Sequence, residues 1–332
     1  MHSRRQLRQV KNEEKYVAFT PRALSSLVDA NLDTTGNGLL DVDECAAVTS
    51  LAGIFSVEDP DLPYSYLDVT DLYSTDIDTA FFGKFPNLTE IGNRAFQQCV
   101  ALTSVDLTNL PTNITSLSGA AFAGCTGLTS ITLPSHITSL ETESLCLIPG
   151  IGTSSVDLTI DLGNITYFSP TCCRGLRTAA FPFNANTTYI GAGAFSRAHI
   201  PFSVIPASVT TVGDSAFEHN DAITAITYAS SANPGNEAFT YCSNMTTFTF
   251  TGSITMVRNL AFAYCTSLTS VTLPNSLTGI DNHAFYNTPL TALTYLGTQS
   301  QWNNNVTLYS YWNAGTSITT IHCTDGDITI SS

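Results

Sequence analysis

The chain has 332 residues, of which 43% are hydrophobic and only 12% are charged. This length and apolar content allow a large core, which excludes an intrinsically disordered chain. The formal net charge is −15, and six of the twelve Lys and Arg residues fall within the first 22 positions. The rest of the chain therefore lacks the basic clusters that nucleic-acid binding requires. It also lacks a run of about 20 apolar residues, so no membrane insertion is expected.

Residues 1–18, MHSRRQLRQVKNEEKYVA, begin with basic residues and continue without an apolar run. They are interpreted as a disordered or tag-like N-terminus in which no signal peptide is visible. In the body of the chain, Thr, Ser and Asn take the place of charged residues. A surface of hydroxyl and amide groups favours an extracellular β-rich protein over a cytosolic helical enzyme.

Residues 33–44, DTTGNGLLDVDE, have the spacing of an EF-hand calcium loop. A hard cation is coordinated by oxygens, Gly38 permits the sharp turn, and the final Glu supplies two oxygens at once. The predicted ligands of a structural Ca²⁺ are Asp33, Thr35, Asn37, the backbone carbonyl of Leu39, Asp41 and Glu44. Thr35 stands where an acidic or amide ligand is usual, which weakens the expected affinity. The alternative is an Asp-, Asn- and Gly-rich loop that binds nothing.

Helices are predicted on both sides of this loop. Thr20 suits the N-cap and Pro21 the first position of an entering helix. Residues 42–51 are interpreted as a short exit helix stopped by Gly53, and Leu40 is expected to pack between the loop and the helices. The segment 19–84 is therefore interpreted as an EF-hand-like calcium loop within a helical N-terminal cap.

An internal repeat organises most of the remaining chain. Its motif is an aliphatic residue, four variable positions and a Phe that usually follows Ala, as in IGAGAF at 190–195. We call the Phe position the anchor. The predicted anchors are Phe96, Phe122, Leu145, Cys172, Phe195, Phe217, Phe239, Phe262 and Phe285. They lie 22–27 residues apart, mostly near 23, which indicates about nine coils over residues 85–296.

Each coil also contains a predicted strand. After Phe122, apolar residues follow at the sixth, ninth and eleventh positions, Leu128, Ile131 and Leu133, and most other coils share these offsets. The last two alternate with polar residues, as in a strand with one buried face. A single unit cannot bury its apolar side alone, so the coils are expected to stack. The predicted fold is an α/β repeat solenoid with a parallel sheet on one face and short helical turns, which carry the Ala-Phe pair, opposite.

The segments IGNRAFQQCVALTSVDL (91–107) and AFAYCTSLTSVTLP (261–274) give the fullest form of the repeat. This pattern resembles the BspA-like leucine-rich repeats, which are common in surface proteins of gut and oral bacteria and of some parasitic protists. The resemblance implies a right-handed leucine-rich-repeat solenoid. Residues 19–51 also resemble the calcium-loop segment often found before such repeats, and residues 297–332 are similar to the C-terminal cap that follows them.

Bulky aromatics in the predicted cap are suited to covering the apolar end of the last coil. They are Trp302, Tyr309, Tyr311 and Trp312. Sugar binding by the same side chains is the alternative.

Four of the nine cysteines lie three residues after an anchor: Cys99, Cys125, Cys242 and Cys265. Asn220 and Thr288 occupy the same position in other coils. A position that accepts Cys, Asn or Thr predicts buried free thiols that hydrogen-bond the backbone of the bend. Cys172 and Cys173 are adjacent and Cys146 could lie one coil away, so a disulfide there is left open.

The sequence contains no G-x-S-x-G elbow, phosphate loop or H-E-x-x-H motif, so the protein is predicted not to be an enzyme. The outward positions of the strands are mostly hydroxyl-bearing and lack the Tyr, Trp and Arg that anchor protein interfaces. Tyr241, Tyr264 and Tyr286 fall on successive coils and are the candidate binding residues. The alternative is that they only cover the rim of the solenoid.

The resemblance implies a non-catalytic surface or secreted binding protein, used for protein–protein interaction or adhesion. Its expected partner is a protein, on a host or neighbouring-cell surface, and the solenoid itself is expected to be a monomer. The alternative is a structural or carbohydrate-associated accessory module of a larger extracellular assembly.

Overall fold

A computed structural model of the chain describes residues 16–55, 77, 80–146, 157–179, 181 and 183–330. Residues 1–15 of the predicted disordered N-terminus therefore lie outside the described residues, as do residues 56–76 and 78–79 of the predicted cap. The helices are α1, Pro21–Asp29, α2, Val42–Ala47, and α3, Gln299–Asn305, with a 3-10 helix at Phe82–Lys84.

The two N-terminal helices begin at the predicted residues, Pro21 and Val42. Thr20 Oγ1 accepts a hydrogen bond from the Ala23 N–H, and Pro21 opens α1. The exit helix α2 is shorter than predicted, because it ends at Ala47 and not near residue 51. Residues 49–55 instead pair with the first coil, since the backbone N–H groups of residues 51, 53 and 55 donate to the carbonyls of residues 91, 93 and 95.

Most coils contribute two short strands. The first set, which includes the predicted strands, is β1, Ser104–Asp106, β3, Ser130–Thr132, β5, Thr159–Ile160, β8, Val204–Ile205, β10, Ala225–Tyr228, β11, Thr247–Phe250, β13, Ser270–Leu273, β15, Ala292–Tyr295, and β17, Thr320–Cys323. Of these, β17 lies in the segment predicted as the C-terminal cap. The second set is β2, Ser116–Leu117, β4, Ser139–Leu140, β6, Tyr167–Phe168, β7, Tyr189–Ile190, β9, Thr211–Val212, β12, Met256–Val257, β14, Gly279–Ile280, and β16, Thr307–Leu308. A last strand, β18, spans Gly326–Thr329.

Equivalent strands of successive coils pair in parallel, which confirms the repeat solenoid. The first set forms the sheets β1-β3-β5 and β8-β10-β11-β13-β15-β17-β18, in which only β17 and β18 are antiparallel. The second set forms the sheets β2-β4-β6-β7-β9 and β12-β14-β16. The prediction of parallel strands on one face only was therefore incomplete. Strands of two residues are too short to show an alternating pattern in the sequence.

The prediction of short helical turns around the anchors was wrong. In the coil of Phe122, the residues two before and two after it, Ala120 and Gly124, have left-handed backbones with φ of 52° and 71°. Such residues interrupt the i→i−4 hydrogen bonds of an α-helix. The Phe122 N–H instead donates to the carbonyl of Ser144 in the next coil, at 3.0 Å.

The same hydrogen bond shows that one predicted anchor is off by a residue. In each regular coil the backbone N–H of the anchor donates to the backbone carbonyl of the residue just before the next anchor. The Leu145 N–H donates in this way to the Cys172 carbonyl. Thr171 and Gly175, the left-handed residues of that coil, lie two before and two after Cys173. Cys173 is therefore the anchor and not Cys172. A further turn of this geometry surrounds Asn313, within the segment predicted as the C-terminal cap.

The anchor phenylalanines stack along the solenoid axis with interplanar angles of 2–15° and centroid distances of 5.1–5.7 Å. One stack contains Phe55, Phe96 and Phe122, and the other contains Phe195, Phe217, Phe239, Phe262 and Phe285. Leu145 and Cys173 separate the two. Beside this break, Phe168, Phe181 and Phe183 pack against Phe195 and supply aromatic volume from other positions.

The four cysteines three residues after an anchor are buried and free, as predicted. The thiol of Cys125 donates to the carbonyl of Phe96 at 2.9 Å, and that of Cys242 donates to Phe217 at 3.2 Å. Each thiol therefore binds the anchor of the preceding coil. Asn220 also bonds the preceding coil, through the backbone of Ile200, whereas Thr288 bonds the Phe285 carbonyl within its own coil.

Threonines just before the strands form ladders of their own. The hydroxyl of Thr188 donates to the carbonyl of Thr166, and the hydroxyl of Thr210 donates to that of Thr188. A second ladder joins Thr269 to Thr246 and Thr246 to Thr224. A hydroxyl that repeats at coil spacing thus bonds the backbone of the coil before it, which gives the high Thr content a structural role.

At the C-terminal end, Trp302 and Trp312 are buried, whereas Tyr309 and Tyr311 are exposed. Trp302 lies on α3 and meets Tyr295 edge to face at 5.1 Å. The two tryptophans therefore cover the end of the core, and the two tyrosines do not.

We predict that Phe217→Ala lowers the free energy of unfolding by about 3–5 kcal/mol, because the ring is fully buried between Phe195 and Phe239. Urea unfolding followed by circular dichroism measures this change. Leu296→Ala is the control, because Leu296 is exposed and its loss should change stability by less than about 0.5 kcal/mol. Equal effects of the two substitutions would contradict a core built on stacked anchors.

Candidate functional site

Aromatic side chains at the surface follow the anchors of the C-terminal half; His219 and Tyr264 are half-buried and Tyr241 is exposed. The residues two positions after four successive anchors are Arg197, His219, Tyr241 and Tyr264. The His219 and Tyr241 rings stack with centroids 4.3 Å apart, and the Tyr241 and Tyr264 rings stack at 4.5 Å. Three aromatic rings therefore form one continuous column across three coils.

Three more rings continue this column toward the C-terminus. Tyr286 meets Tyr264 edge to face at 5.4 Å, and His283 meets Tyr286 at 5.3 Å. His283 also stacks on Tyr311 at 5.6 Å. We define the aromatic row by its six members: His219, Tyr241, Tyr264, Tyr286, His283 and Tyr311.

The structure brings the three sequence-predicted tyrosines together, although Tyr286 lies one position after its anchor and not two. The two histidines and Tyr311 were missed as members of the row. Their positions relative to the anchors could have identified them. His219, like Tyr241, lies two residues after its anchor, and His283, like Tyr311, lies two residues before its anchor. Two members of the row are clearly exposed, Tyr241 at 39% and the terminal Tyr311 at 70%.

The backbone under the column is left-handed. His219, Tyr241 and Tyr264 have φ of 58–60°, a conformation that costs a side-chain-bearing residue about 1 kcal/mol and that glycine adopts freely. Other coils do place glycine there, as Gly124 and Gly175. Aromatic residues at this position are therefore not required by the turn.

Electrostatics keep the column neutral. Partial burial and the neighbouring Arg197 lower the pKa of His219, against the opposing effect of Glu218, so the imidazole is uncharged at pH 7. Desolvation by the stack, with Tyr241 and Tyr286 beside it, raises the pKa of the Tyr264 phenol. The surface therefore offers neutral rings and hydroxyl groups, with the Arg197 guanidinium at one end.

The geometry of the column decides which contacts it can make. Both faces of Tyr241 are covered by its neighbours, so stacking of a ligand on this ring is excluded while ring edges and hydroxyls remain available. Buried edge contacts and hydroxyl hydrogen bonds of Tyr, together with Arg, are typical of protein–protein hot spots.

The outward face of the main sheet is chemically different. Thr227, Thr249, Thr272 and Thr294 lie in register on four neighbouring parallel strands. Their neighbours on this face are mostly Ala, Ser and Thr as well. Short hydroxyl side chains give little area to bury, so this face is a weaker candidate for binding than the aromatic row.

The predicted calcium loop is closed by its own hydrogen bonds. The Asp33 carboxylate accepts the N–H groups of Gly36 and Gly38 at 2.8 and 2.6 Å, and the Thr35 hydroxyl. Gly38 has φ of 78°, the left-handed turn expected of it. Leu40 is fully buried, as predicted, whereas the Leu39 side chain is exposed.

The end of the loop is joined to its start by Glu44. One Glu44 oxygen accepts from the Thr34 hydroxyl and the Thr35 N–H, each at 3.0 Å, and the other accepts from the Asp41 N–H at 2.9 Å. Asp41 caps α2 by accepting from the Asp43 and Glu44 N–H groups. Both acidic side chains are largely buried.

These bonds also set the acidity of the loop. Desolvation opposes ionisation of Asp33, but hydrogen bonds from residues 35–38 outweigh it and lower the pKa of this carboxyl. For Glu44, the hydrogen bond from the Asp41 N–H lowers the pKa most, against some desolvation and the charge of Asp41. Both groups are therefore ionised at neutral pH.

The oxygen-rich donor set fits a hard cation in its chemistry, with three carboxylates, a hydroxyl, an amide oxygen and a carbonyl. Its arrangement is not that of a metal centre: within the described part of the chain, no three His, Cys, Asp or Glu side chains converge in a way that could hold a metal ion. The calcium site stays a prediction.

The chain is built from stacked coils, most of which contribute two short parallel strands around a buried column of anchors. This architecture is that of a leucine-rich-repeat solenoid, and the aromatic row lies on its surface. The sequence matches the BspA type Leucine rich repeat region in six copies, over residues 89–224 and 188–313. These matches span more than half of the chain, so the protein belongs to the BspA-type leucine-rich-repeat family.

Several solved structures resemble the chain. A leucine-rich repeat protein from Bacteroides ovatus is 19% identical, with 72% of this chain and 59% of that protein covered and a TM-score of 0.47. A leucine rich cell surface protein from Faecalibacterium prausnitzii is 19% identical, with 67% and 80% covered and a TM-score of 0.33. The Pneumococcal vaccine antigen PcpA is 14% identical, with 74% and 76% covered and a TM-score of 0.35.

The matched region spans less than two thirds of the Bacteroides ovatus protein. No curated protein matches the chain at a significant level. Among the described residues, no helix combines the length and the apolar character needed to cross a membrane.

We predict that acid loosens the N-terminal loop. Because its folded-state pKa is lowered, Asp33 stabilises the loop above the pKa of an unfolded Asp, about 3.9, and this contribution is lost as the pH falls through the lower folded value. The amide signals of Gly36 and Gly38, followed by NMR between pH 7 and 2, should report a midpoint below 3.9. Asp33→Asn should remove this transition, and a midpoint above that of free Asp would contradict the hydrogen-bonded loop.

Proposed function

We propose that the protein is a non-catalytic binding protein, displayed on a cell surface or secreted, that engages a protein partner through the aromatic row. The observation that carries the proposal is the column of His219, Tyr241 and Tyr264, whose rings are held parallel on a left-handed backbone. The membership in a family of surface repeat proteins supports it.

Three properties of the row support a protein partner. It is a long, narrow and neutral surface, which suits an extended or helical segment of a protein. Its rings are fixed by their neighbours, so little side-chain entropy is lost on binding. The tyrosine hydroxyls lie beside apolar ring edges, the combination that makes Tyr frequent at hot spots.

The rest of the molecule serves this role as a scaffold. We propose that the coils wind to the right, as parallel crossovers do in nearly all proteins, and that α1 and α2 act as an N-terminal cap. The solenoid is proposed to be a monomer whose partner is a protein of a host or neighbouring cell.

We predict that replacing Tyr241 and Tyr264 by Gly weakens binding without loss of stability. Glycine adopts the left-handed backbone without strain, so the double variant should melt within a few degrees of the wild type. The labelled protein should bind saturably to cultured epithelial cells, and the double variant at least about tenfold more weakly.

Gln98→Gly is the matched control, because Gln98 has φ of 60° at the same position of an N-terminal coil but lies outside the row. Its binding should equal that of the wild type. Protease treatment of the cells should remove the binding sites. Binding that survives protease but appears on a glycan array would favour the carbohydrate-associated accessory module instead, and unchanged binding by the double variant would reject the aromatic row.

We also propose that calcium stiffens the N-terminal loop. Asp33, Thr35, Asn37, the Leu39 carbonyl, Asp41 and Glu44 would hold the ion. Their carboxylates would exchange some internal N–H bonds for coordination. The ion would have a structural role, because a cation draws together oxygens that otherwise repel one another.

The expected result is a higher melting temperature in millimolar calcium than in EDTA, because a ligand that binds only the folded state stabilises it. At a hundredfold excess over Kd the gain is about 2.7 kcal/mol. Glu44→Gln should remove the gain. Magnesium is the control cation, and superimposable scans in calcium and EDTA would reject calcium binding.

A further inference from the structure

Five of the nine cysteines lie outside the hydrogen-bonding position that Cys99 and Cys242 occupy, and three of these five, Cys146, Cys172 and Cys173, fall on two neighbouring coils. The Sγ atoms of Cys172 and Cys173 are 3.7 Å apart, and both residues are fully buried. Cys146 belongs to the preceding coil and is half-buried. All three lie at the break between the two phenylalanine stacks, where the anchors are Leu145 and Cys173.

The register of the two coils brings Cys146 close to the Cys172–Cys173 pair, near enough for its thiol to act electrostatically on Cys173. The Leu145 N–H donates to the Cys172 carbonyl at 2.8 Å, so Cys146 follows a residue that is paired directly with the Cys172–Cys173 segment. Equivalent positions of neighbouring coils lie about 4.8 Å apart. Cys146 lies one position after its anchor and Cys173 is the anchor of the next coil, so the two residues are diagonal neighbours, and a disulfide spans Cα separations of up to about 6.8 Å.

A buried hydroxyl accompanies the thiols. The position before the anchor is Ala in seven coils, from Ala95 to Ala284, but it is Ser144 and Cys172 in these two. The Ser144 hydroxyl is fully buried and has no hydrogen-bond partner among the described residues. An unsatisfied buried donor is destabilising, and a sulfur that becomes negative during reaction would accept from it.

We propose that Cys146, Cys172 and Cys173 form a thiol–disulfide exchange site in which Cys146 reacts with an external disulfide and Cys173 resolves the product. The Cys146 thiolate attacks one sulfur of RS–SR, forms a mixed disulfide and releases RS⁻. The Cys173 thiol, held beside the mixed disulfide, then loses its proton as its sulfur attacks the Cys146 sulfur, which forms a disulfide between the two coils and releases the second RS⁻. The two thiol protons leave with the two RS⁻ groups, so one dithiol and one RS–SR become one disulfide and two RSH.

The order of the two steps follows from accessibility. Burial raises the pKa of the Cys173 thiol well above its ordinary range, and the neighbouring Cys172 and Cys146 raise it further. A buried neutral thiol reacts slowly with an external disulfide because the thiolate is the nucleophile. The half-buried Cys146 is therefore the first to react, and the buried pair receives the disulfide from it.

The test treats the reduced full chain with oxidised glutathione, blocks the remaining thiols with iodoacetamide and maps the peptides by mass spectrometry. The wild type should yield a Cys146–Cys173 disulfide. Cys173→Ser should stop with one glutathione on Cys146, and Cys146→Ser should react at neither site. The cross-link should also raise the melting temperature of the wild type by about 5 °C, because it closes a long loop.

Cys242 is the internal control, since it is fully buried and bonded to a carbonyl and should be alkylated only after unfolding. Cys146→Ser changes a half-buried residue and keeps the test decisive if Cys173→Ser fails to fold. A Cys172–Cys173 disulfide, equal reaction at Cys242 and Cys146, or no intramolecular disulfide in the folded wild type would each overturn the proposal.

Discussion

The structure depends on one hydrogen bond that recurs at every anchor turn. Left-handed residues on both sides of the anchor, such as Ala120 and Gly124 around Phe122, turn its N–H toward the next coil. A buried amide left without a partner costs about 1–3 kcal/mol, so each coil must keep the height and register of its neighbour. The parallel stacking of the anchor rings and the bonds from the thiols to the preceding anchor carbonyls follow from this fixed register.

Features that rest on recurring residue types could be predicted from the sequence, whereas features of the coils that interrupt the repeat could not. Phe at a period near 23, strand alternation and the position shared by Cys, Asn and Thr were enough to predict parallel coils and buried free thiols. The left-handed residues were not predictable, because Ala120, Glu143 and Tyr241 have no side-chain feature in common. Adjacent Cys172 and Cys173 offered two equivalent anchors, and only the hydrogen bond from Leu145 distinguishes them.

The candidate site, like the fold, could be predicted only in part from the sequence. Tyr241 and Tyr264 repeat at coil spacing, so their contact could be expected, but the edge-on packing of Tyr286 depends on a shift of one residue. For the N-terminal loop, residue types at fixed intervals indicate the donors. They do not indicate that Asp33 and Glu44 first satisfy the N–H and hydroxyl groups around them. Side-chain direction within a loop depends on this competition, which a spacing pattern does not contain.

The antiparallel direction of β18 affects how copies of the molecule can associate through the main sheet. β18 runs antiparallel to β17 and occupies the backbone edge on which another parallel strand would otherwise add. β18 is four residues long and carries Asp327, which is bonded to His322 across the hairpin. A short edge with a charged side chain is a poor template for another chain. The hairpin therefore blocks this edge of the main sheet against the addition of a parallel strand from another copy of the chain.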